Sequence, residues 1–350
     1  MSRKPPLLDQ SLENKQFDLF TTFFGDSKDL SNTIELWDAI PKYAVSARIQ
    51  STLRDEKGNL PVYTQDFEYR PSMAQSTVIN CRVKIQPASI EVEKGRYVQF
   101  YPSADEELLE EVMRKIFTDQ TLGFHSPAEP ESWVRFTLYM LQKELKARGR
   151  TRNLNEIKRS LEILSRAIYE IEITGRKKRL LYTNPILNDL TRITRDDYLH
   201  DPSSMWCARL PALISKSINE LTYRQFNYGI LMTLPSQLAR WFHKRLSHQY
   251  INAAIIHPYT ISFSTIERDS GLLHHCRKAA NMNAIDRAIK QLKEQHVLMT
   301  YNADIRREGR KIVETLYTLT PSPLFVKEAL IIVWPKTIFY KWDIGCKLLF

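Results

Sequence analysis

Two short segments carry side chains of the kind that can read a base pair. In NLNEIKRSLEILSRAI, Asn155, Lys158, Arg159, Glu162 and Arg166 recur at helical steps, and Asn283, Asp286, Arg287, Lys290 and Lys293 do so in the segment from Asn283 to His296. On a helix such steps gather the side chains on one side. Arg can pair its fork with the O6 and N7 edge of guanine and Asn with the N6 and N7 edge of adenine, each good contact giving about 1 to 3 kcal/mol of discrimination. Cations follow each segment: Arg176, Lys177, Lys178 and Arg179 after the first, and Arg306, Arg307, Arg310 and Lys311 after the second, while Arg150 and Arg152 precede the first. Groups of that kind neutralise phosphates and add affinity without reading sequence.

These side chains need elements to hold them. PESWVRFTLYMLQKELKARG (Pro130 to Gly149) reads as a helix burying Trp133, Phe136, Met140, Leu141 and Leu145, with Gly149 as its stop. In the next helix Leu154, Ile157, Leu161, Leu164 and Ile168 form an apolar stripe, and Asn153 with Glu156 has the spacing of a capping box. The alternation in YEIEIT, the tip GRKK and the strand RLLYT complete a hairpin. Helix, helix and basic hairpin is the order of a winged helix.

A second copy follows. PSQLARWFHKRLSHQY places Pro235 at a first helical position and buries Leu238, Trp241, Phe242 and Leu246. YTISFST reads as a strand, the box Ser264 to Glu267 opens a short helix, and the helix from Asn283 turns Ile285, Ala288, Ile289 and Leu292 inward. VLMTY, the tip RREGRK and IVETLYTLT form the second hairpin. The distance from second helix to basic tip nearly repeats, Asn153 to Gly175 and Asn283 to Arg306, which marks an internal repeat.

Charge falls where the repeat predicts. The chain has 350 residues and a net charge of +10, yet residues 1 to 111 hold 13 Lys/Arg against 18 Asp/Glu. Residues 142 to 179 hold 12 against 5, and residues 277 to 311 hold 9 against 4. Two compact basic windows fit a polyanion met twice. Double-stranded DNA is the expected partner; RNA is disfavoured because the aromatics sit at core spacing and form no stacking platform.

Two signatures of DNA-processing enzymes are absent from the sequence. None of the ten glycines builds a Walker A loop. Nicking by a tyrosine beside a metal would need two histidines separated by one residue, whereas His274 and His275 in LLHHC are adjacent and diverge, so that stretch reads as the turn of the second helix-turn-helix. Acidic neighbours such as Asp196/Asp197 and Glu110/Glu111 read as solvated surface. No cofactor or metal is expected, and the chain is expected not to be an enzyme. Cys81, Cys207, Cys276 and Cys346 show no paired spacing and read as reduced packing residues. A cytoplasmic protein is expected, with no membrane span or secretion signal.

The first hundred residues differ in kind. YAVSARIQ, TQDFEYR, TVINCRVKIQPASIEV and GRYVQFYP read as strands, and their acidic balance argues against DNA contact. DEELLEEVMRKIFTD reads as an acidic amphipathic helix. The tail after Pro321 is apolar and aromatic and reads as packing on the second unit or as a partner surface. The expected organisation is α+β: a mobile segment over 1–38, a β-rich subdomain over 39–103, tandem winged-helix domains over 104–210 and 211–320, and a tail over 321–350.

The run SWVRFTLYMLQKELKARGRTRNLNEIKRSLEILSRAIYEIEI, with NTIELWDAIPKY and YPSADEELLEEVMRKIF upstream, resembles the RepA-type replication initiator proteins of bacterial theta-replicating plasmids. The likeness covers roughly residues 16 to 320. It implies tandem winged helices that bind repeated origin sequences (iterons), origin opening with a host initiator, recruitment of the replicative helicase, and autorepression as a homodimer. A winged-helix transcriptional repressor is the alternative. QFDLF at Gln16 to Phe20 resembles the bacterial sliding-clamp binding motif, with Gln16, Asp18, Leu19 and Phe20 matched and Phe17 where Leu is usual. The same peptide could instead start a helix that packs on the β-rich part. On this reading Arg159 and Arg287 discriminate between sites, and Arg176 sets salt dependence.

Overall fold

The computed structural model describes residues 30–71, 77–118, 121–174, 179–193, 205–220, 223–250, 254–309 and 311–331. β1 (Leu30–Ile34) leads into α1 (Glu35–Ala39), and α2 (Ala47–Leu53) starts where Ser46 Oγ accepts from the Ile49 amide at 3.5 Å. YAVSARIQ is therefore loop and helix, not strand: Ala, Arg and Gln favour a helix once a cap begins it. β2 (Tyr63–Tyr69), β3 (Ile79–Gln86), β4 (Ala88–Glu93) and β5 (Arg96–Phe100) follow, and α3 (Ala104–Phe117) opens on a capping box of Ser103 and Glu106. After β6 (Gly123–Ser126) comes β7 (Glu131–Phe136), in the stretch expected to be helical. Ser132, Val134 and Phe136 are buried in alternation, a period of two, and Thr137 then caps α4 (Leu138–Ala147) by accepting from the Met140 amide at 3.1 Å.

α5 (Leu154–Arg166), β8 (Ile168–Thr174), β9 (Arg179–Asn184), β10 (Asn188–Thr191), β11 (Trp206–Arg209), α6 (Ala212–Asn219), β12 (Tyr223–Asn227) and α7 (Tyr228–Thr233) complete the first half. The second half is α8 (Gln237–Gln249), β13 (Tyr259–Ser262), α9 (Phe263–Ser270), α10 (Lys278–Glu294), β14 (Leu298–Glu308), β15 (Lys311–Pro321) and α11 (Pro323–Ile331). Ser236 caps α8, so Pro235 precedes the cap and is not the first helical residue. Ser262 caps α9, while Ser264 bonds Glu314, so the box expected at Ser264 to Glu267 is not the helix start. α10 begins at Lys278, ahead of Asn283, because KAANM is itself good helix former. The repeat spacing counted from Asn283 therefore does not mark equivalent helix starts.

The second half has the winged-helix layout, with α8, α9 and α10 against a sheet of order β13-β15-β14. The first half is a widened version. β8 and β9 form the wing, but the other edge of β8 pairs with β3 along Gln86↔Ile168 to Asn80↔Thr174, giving the order β2-β3-β8-β9. A lone hairpin is marginal in water, and β3 supplies a partner for the outer edge of β8. β7 joins a different sheet, β10-β11-β7-β6. One hydrophobic core runs from Ile34 to Met232 and a second from Leu234 to Phe325, so no core boundary falls at 103 or 210.

A buried ionic clasp joins the halves. Arg114 on α3 holds Asp38 on α1 through paired contacts of 2.7 and 3.0 Å, and Lys244 on α8 reaches Asp38 at 3.1 Å and also Glu111. Beside it Arg240 donates to Glu107 at 2.7 Å, and Glu110 accepts from the Trp37 indole and the Tyr43 hydroxyl. Glu110 and Glu111, expected at the surface, are 2% and 0% exposed. Burial alone would raise the Asp38 pKa, but Arg114 and Lys244 overcome it and hold the carboxyl well below its usual value. For Glu111 burial wins, and its pKa is raised. The clasp continues at α9, where the Glu68 amide donates to Asp269 at 3.0 Å and Arg268 pairs with Glu68 at 2.6 Å. Gly271 ends α9 at φ +61, where a Cβ would sit 3.0 Å from the Ala44 Cβ across the junction.

Candidate nucleic-acid interface

α10 buries Met282, Ile285, Ala288, Ile289 and Leu292 and leaves Asn283, Arg287, Lys290 and Lys293 exposed. The Arg287 Nε lies 3.3 Å from the Asn283 carbonyl, and among the described residues none of the three cations takes a carboxylate. Asp286, half-buried, accepts from the Tyr301 hydroxyl at 3.4 Å. The helix start is tied to the wing: Lys278 Nζ donates to the Val313 carbonyl at 2.7 Å and lies 4.6 Å from the Phe263 ring. β14 and β15 stay paired to Glu308↔Lys311, with Gly309 at φ +59 beyond them. Arg306, Arg307 and Lys311 are exposed there, Arg306 facing Glu308 at 3.8 Å, and Arg310 lies outside the described residues. The Leu272 to Cys276 stretch forms the turn between α9 and α10, with His274 Nε2 2.7 Å from the Ala44 carbonyl.

In the first unit Gly149, at φ +72, ends α4, and the capping box of α5 is closed by Asn153 and Glu156 at 2.9 and 2.7 Å. α5 turns Ile157, Leu161 and Leu164 into the core. Its outer face divides in two. Asn155 and Lys158 are exposed and have no side-chain partner among the described residues, whereas Arg159 lies 4.2 Å from the Phe100 ring and Arg166 donates to the Ser89 carbonyl at 3.1 Å. Glu162 pairs with Arg192 at 2.7 Å. The β4–β5 ribbon thus lies along the Arg159 and Arg166 edge of the helix.

Three other predicted cations have protein partners. Arg150 donates to the Met232 and Leu234 carbonyls at 3.1 and 2.6 Å, tying the helix-turn-helix to the junction of the halves. Arg152 pairs with Asp105, and Arg179 with Glu172. Arg176, Lys177 and Lys178 lie outside the described residues, as do Gln16, Asp18, Leu19 and Phe20. Among the described residues no cluster of three or more His, Cys, Asp or Glu could hold a metal, and no helix is long and apolar enough to cross a membrane.

Asn155, Lys158, Asn283, Arg287, Lys290 and Lys293 therefore remain as solvent-facing groups on two second helices of helix-turn-helix units. Arg and Asn at such positions can make bidentate contacts in a major groove, and Lys can meet base or phosphate acceptors. Arg54 is a cation beside α5 that the sequence reading omits; it lies 5.0 Å from the Phe100 ring. Only the fold brings it there, so no short-range signal marks it.

No protein family model matches the sequence, and no curated protein matches it. Among solved structures the chain is similar to domains 2 and 3 of RctB, at TM-score 0.44 and 8% identity over 81% of this chain and 99% of that one. A second structure of the RctB domains 2–3 gives TM-score 0.37 and 9% identity over the same shares. The chain is also similar to the Pi initiator protein in complex with iteron DNA, at TM-score 0.40 and 10% identity, covering 63% of this chain and 91% of that one.

Proposed function

We propose that this chain is a plasmid replication initiator that binds duplex DNA at repeated origin sequences. The observation that carries the DNA-binding reading is α10: Asn283, Arg287, Lys290 and Lys293 face solvent beside a wing bearing Arg306, Arg307 and Lys311. A second helix-turn-helix, with Asn155 and Lys158 outward, is held to it through the buried clasp. The replication role rests on the resemblance of residues 16 to 320 to RepA-type initiators. DNase footprinting on the cognate plasmid tests it: protection of several direct repeats beside an AT-rich segment is expected. Protection of a lone inverted repeat at a promoter would leave a repressor in its place.

Autorepression would use the same two helices, and a homodimer, the host initiator and the replicative helicase are the partners that the resemblance supplies. Gln16, Asp18, Leu19 and Phe20 add the sliding clamp to that reading. Leu19→Ala/Phe20→Ala should abolish capture by the bacterial clamp while DNA binding is retained, and undiminished capture would end the clamp assignment.

A further inference from the structure

Two guanidinium groups lie against one aromatic ring. Phe100 closes β5, and Arg159 from α5 and Arg54, the residue that ends α2, stand 4.2 and 5.0 Å from its centroid. Arg54 is fixed in place, because its Nη1 donates to the Gly58 carbonyl at 2.9 Å and the Gln99 carbonyl at 2.6 Å. Arg159 is exposed and, like Arg54, takes no carboxylate among the described residues. Several acidic residues are engaged elsewhere: Asp55 with Asn59, Glu156 in its own helix cap, Asp105 with Arg152 and Glu162 with Arg192, and the charge of Asp55 acts on Arg54 less than that of Arg159 does. Burial first, and then the charge of Arg159, lowers the Arg54 pKa, so the two cations feel one another.

A ring can hold two like charges side by side by its negative faces, but their repulsion persists until an anion arrives. The anion must offer several acceptor oxygens to two planar forks at once, and a phosphate does so. Arg159 lies one helical turn from Asn155, which faces solvent on the same helix. A duplex seated on Asn155 and Lys158 would therefore bring its sugar-phosphate strand along the edge of α5 that faces Phe100.

Resting on the reading of this chain as a duplex-DNA binder, we propose that Arg54 and Arg159, stacked on Phe100, form a clamp for a DNA backbone phosphate. Arg159 is then a positioning contact, and base reading on α5 falls to Asn155 and Lys158. Part of the acidic N-terminal region also meets DNA.

The test uses the full-length protein, a mixed-sequence duplex and the footprinted repeat, with binding measured as a function of salt. Arg54→Gln and Arg159→Gln should each reduce the slope of log affinity against log salt by about one and weaken both duplexes alike, leaving their ratio unchanged. Arg287→Gln, measured alongside, should reduce the ratio. Arg54→Lys should retain the slope, since it keeps the charge. Should Arg54→Gln fail to fold, Arg159→Gln, at an exposed position, decides alone. An unchanged slope in Arg159→Gln, or a changed ratio, overturns the clamp while the DNA-binding reading stands. Failure of the unmodified protein to bind either duplex overturns that reading instead.

Discussion

His243 is 1% exposed, with its ring edge-on to Phe226 at 5.9 Å and its Nδ1 without a hydrogen-bond partner. Burial, reinforced by Lys244, pushes its pKa down to about 3. In the unfolded chain a histidine takes its proton near pH 6.5. Acid therefore favours unfolding: the contribution of His243 is intact above about pH 6.5 and is lost toward pH 3 at about 1.4 kcal/mol per pH unit. His125 and His274 are lowered by burial too and add to the same trend. We expect denaturation at a series of pH values to show stability falling by about 2 kcal/mol more in the unmodified protein than in His243→Leu between pH 6.5 and 5. Parallel curves for the two proteins would place the acid sensitivity elsewhere.

At the scale of elements, α3 and α8 are joined by charges that have left water. Lys244 faces Asp38 and Glu111, both with fully buried side chains, so its removal leaves Arg114 as the one remaining close cation for two carboxylates in the interior. Lys244→Met should lower unfolding free energy in denaturant titrations by about 3–5 kcal/mol. Lys290→Met on the solvent side of α10 should change it by less than about 0.5 kcal/mol. A loss below about 1 kcal/mol in Lys244→Met would show that the clasp contributes little. This junction was not legible in the sequence. Glu110 and Glu111 look like a solvated pair because their partners Trp37, Tyr43 and Lys244 are far away along the chain. The second wing was legible because turn, alternation and tip are all local in LMTYNADIRREGRKIVETLYTLT, and the α5 cap was legible for the same reason. Trp133 to Phe136 misled because an apolar run four residues long satisfies helix and strand spacing alike. Arg150 misled because a basic residue just before α5 has no local sign that its fork meets carbonyls at Met232 and Leu234.

Across the whole molecule, each winged unit is completed by residues remote from it. β3 extends the first wing, and α9 of the second unit rests on β2 through Gln65, Glu68, Arg268 and Asp269. Gly271 packs so near Ala44 that even a methyl group would press on the junction. Under the proposed duplex-binding function, this closeness acts on helical phase. A duplex turns once in roughly 10 base pairs, so each inserted pair rotates one half of a site about a tenth of a turn away from the other. Two readers locked at one angle cannot follow that rotation. The footprint over each repeat should accordingly have one invariant length, and the spacing inside the repeat becomes part of the word being read.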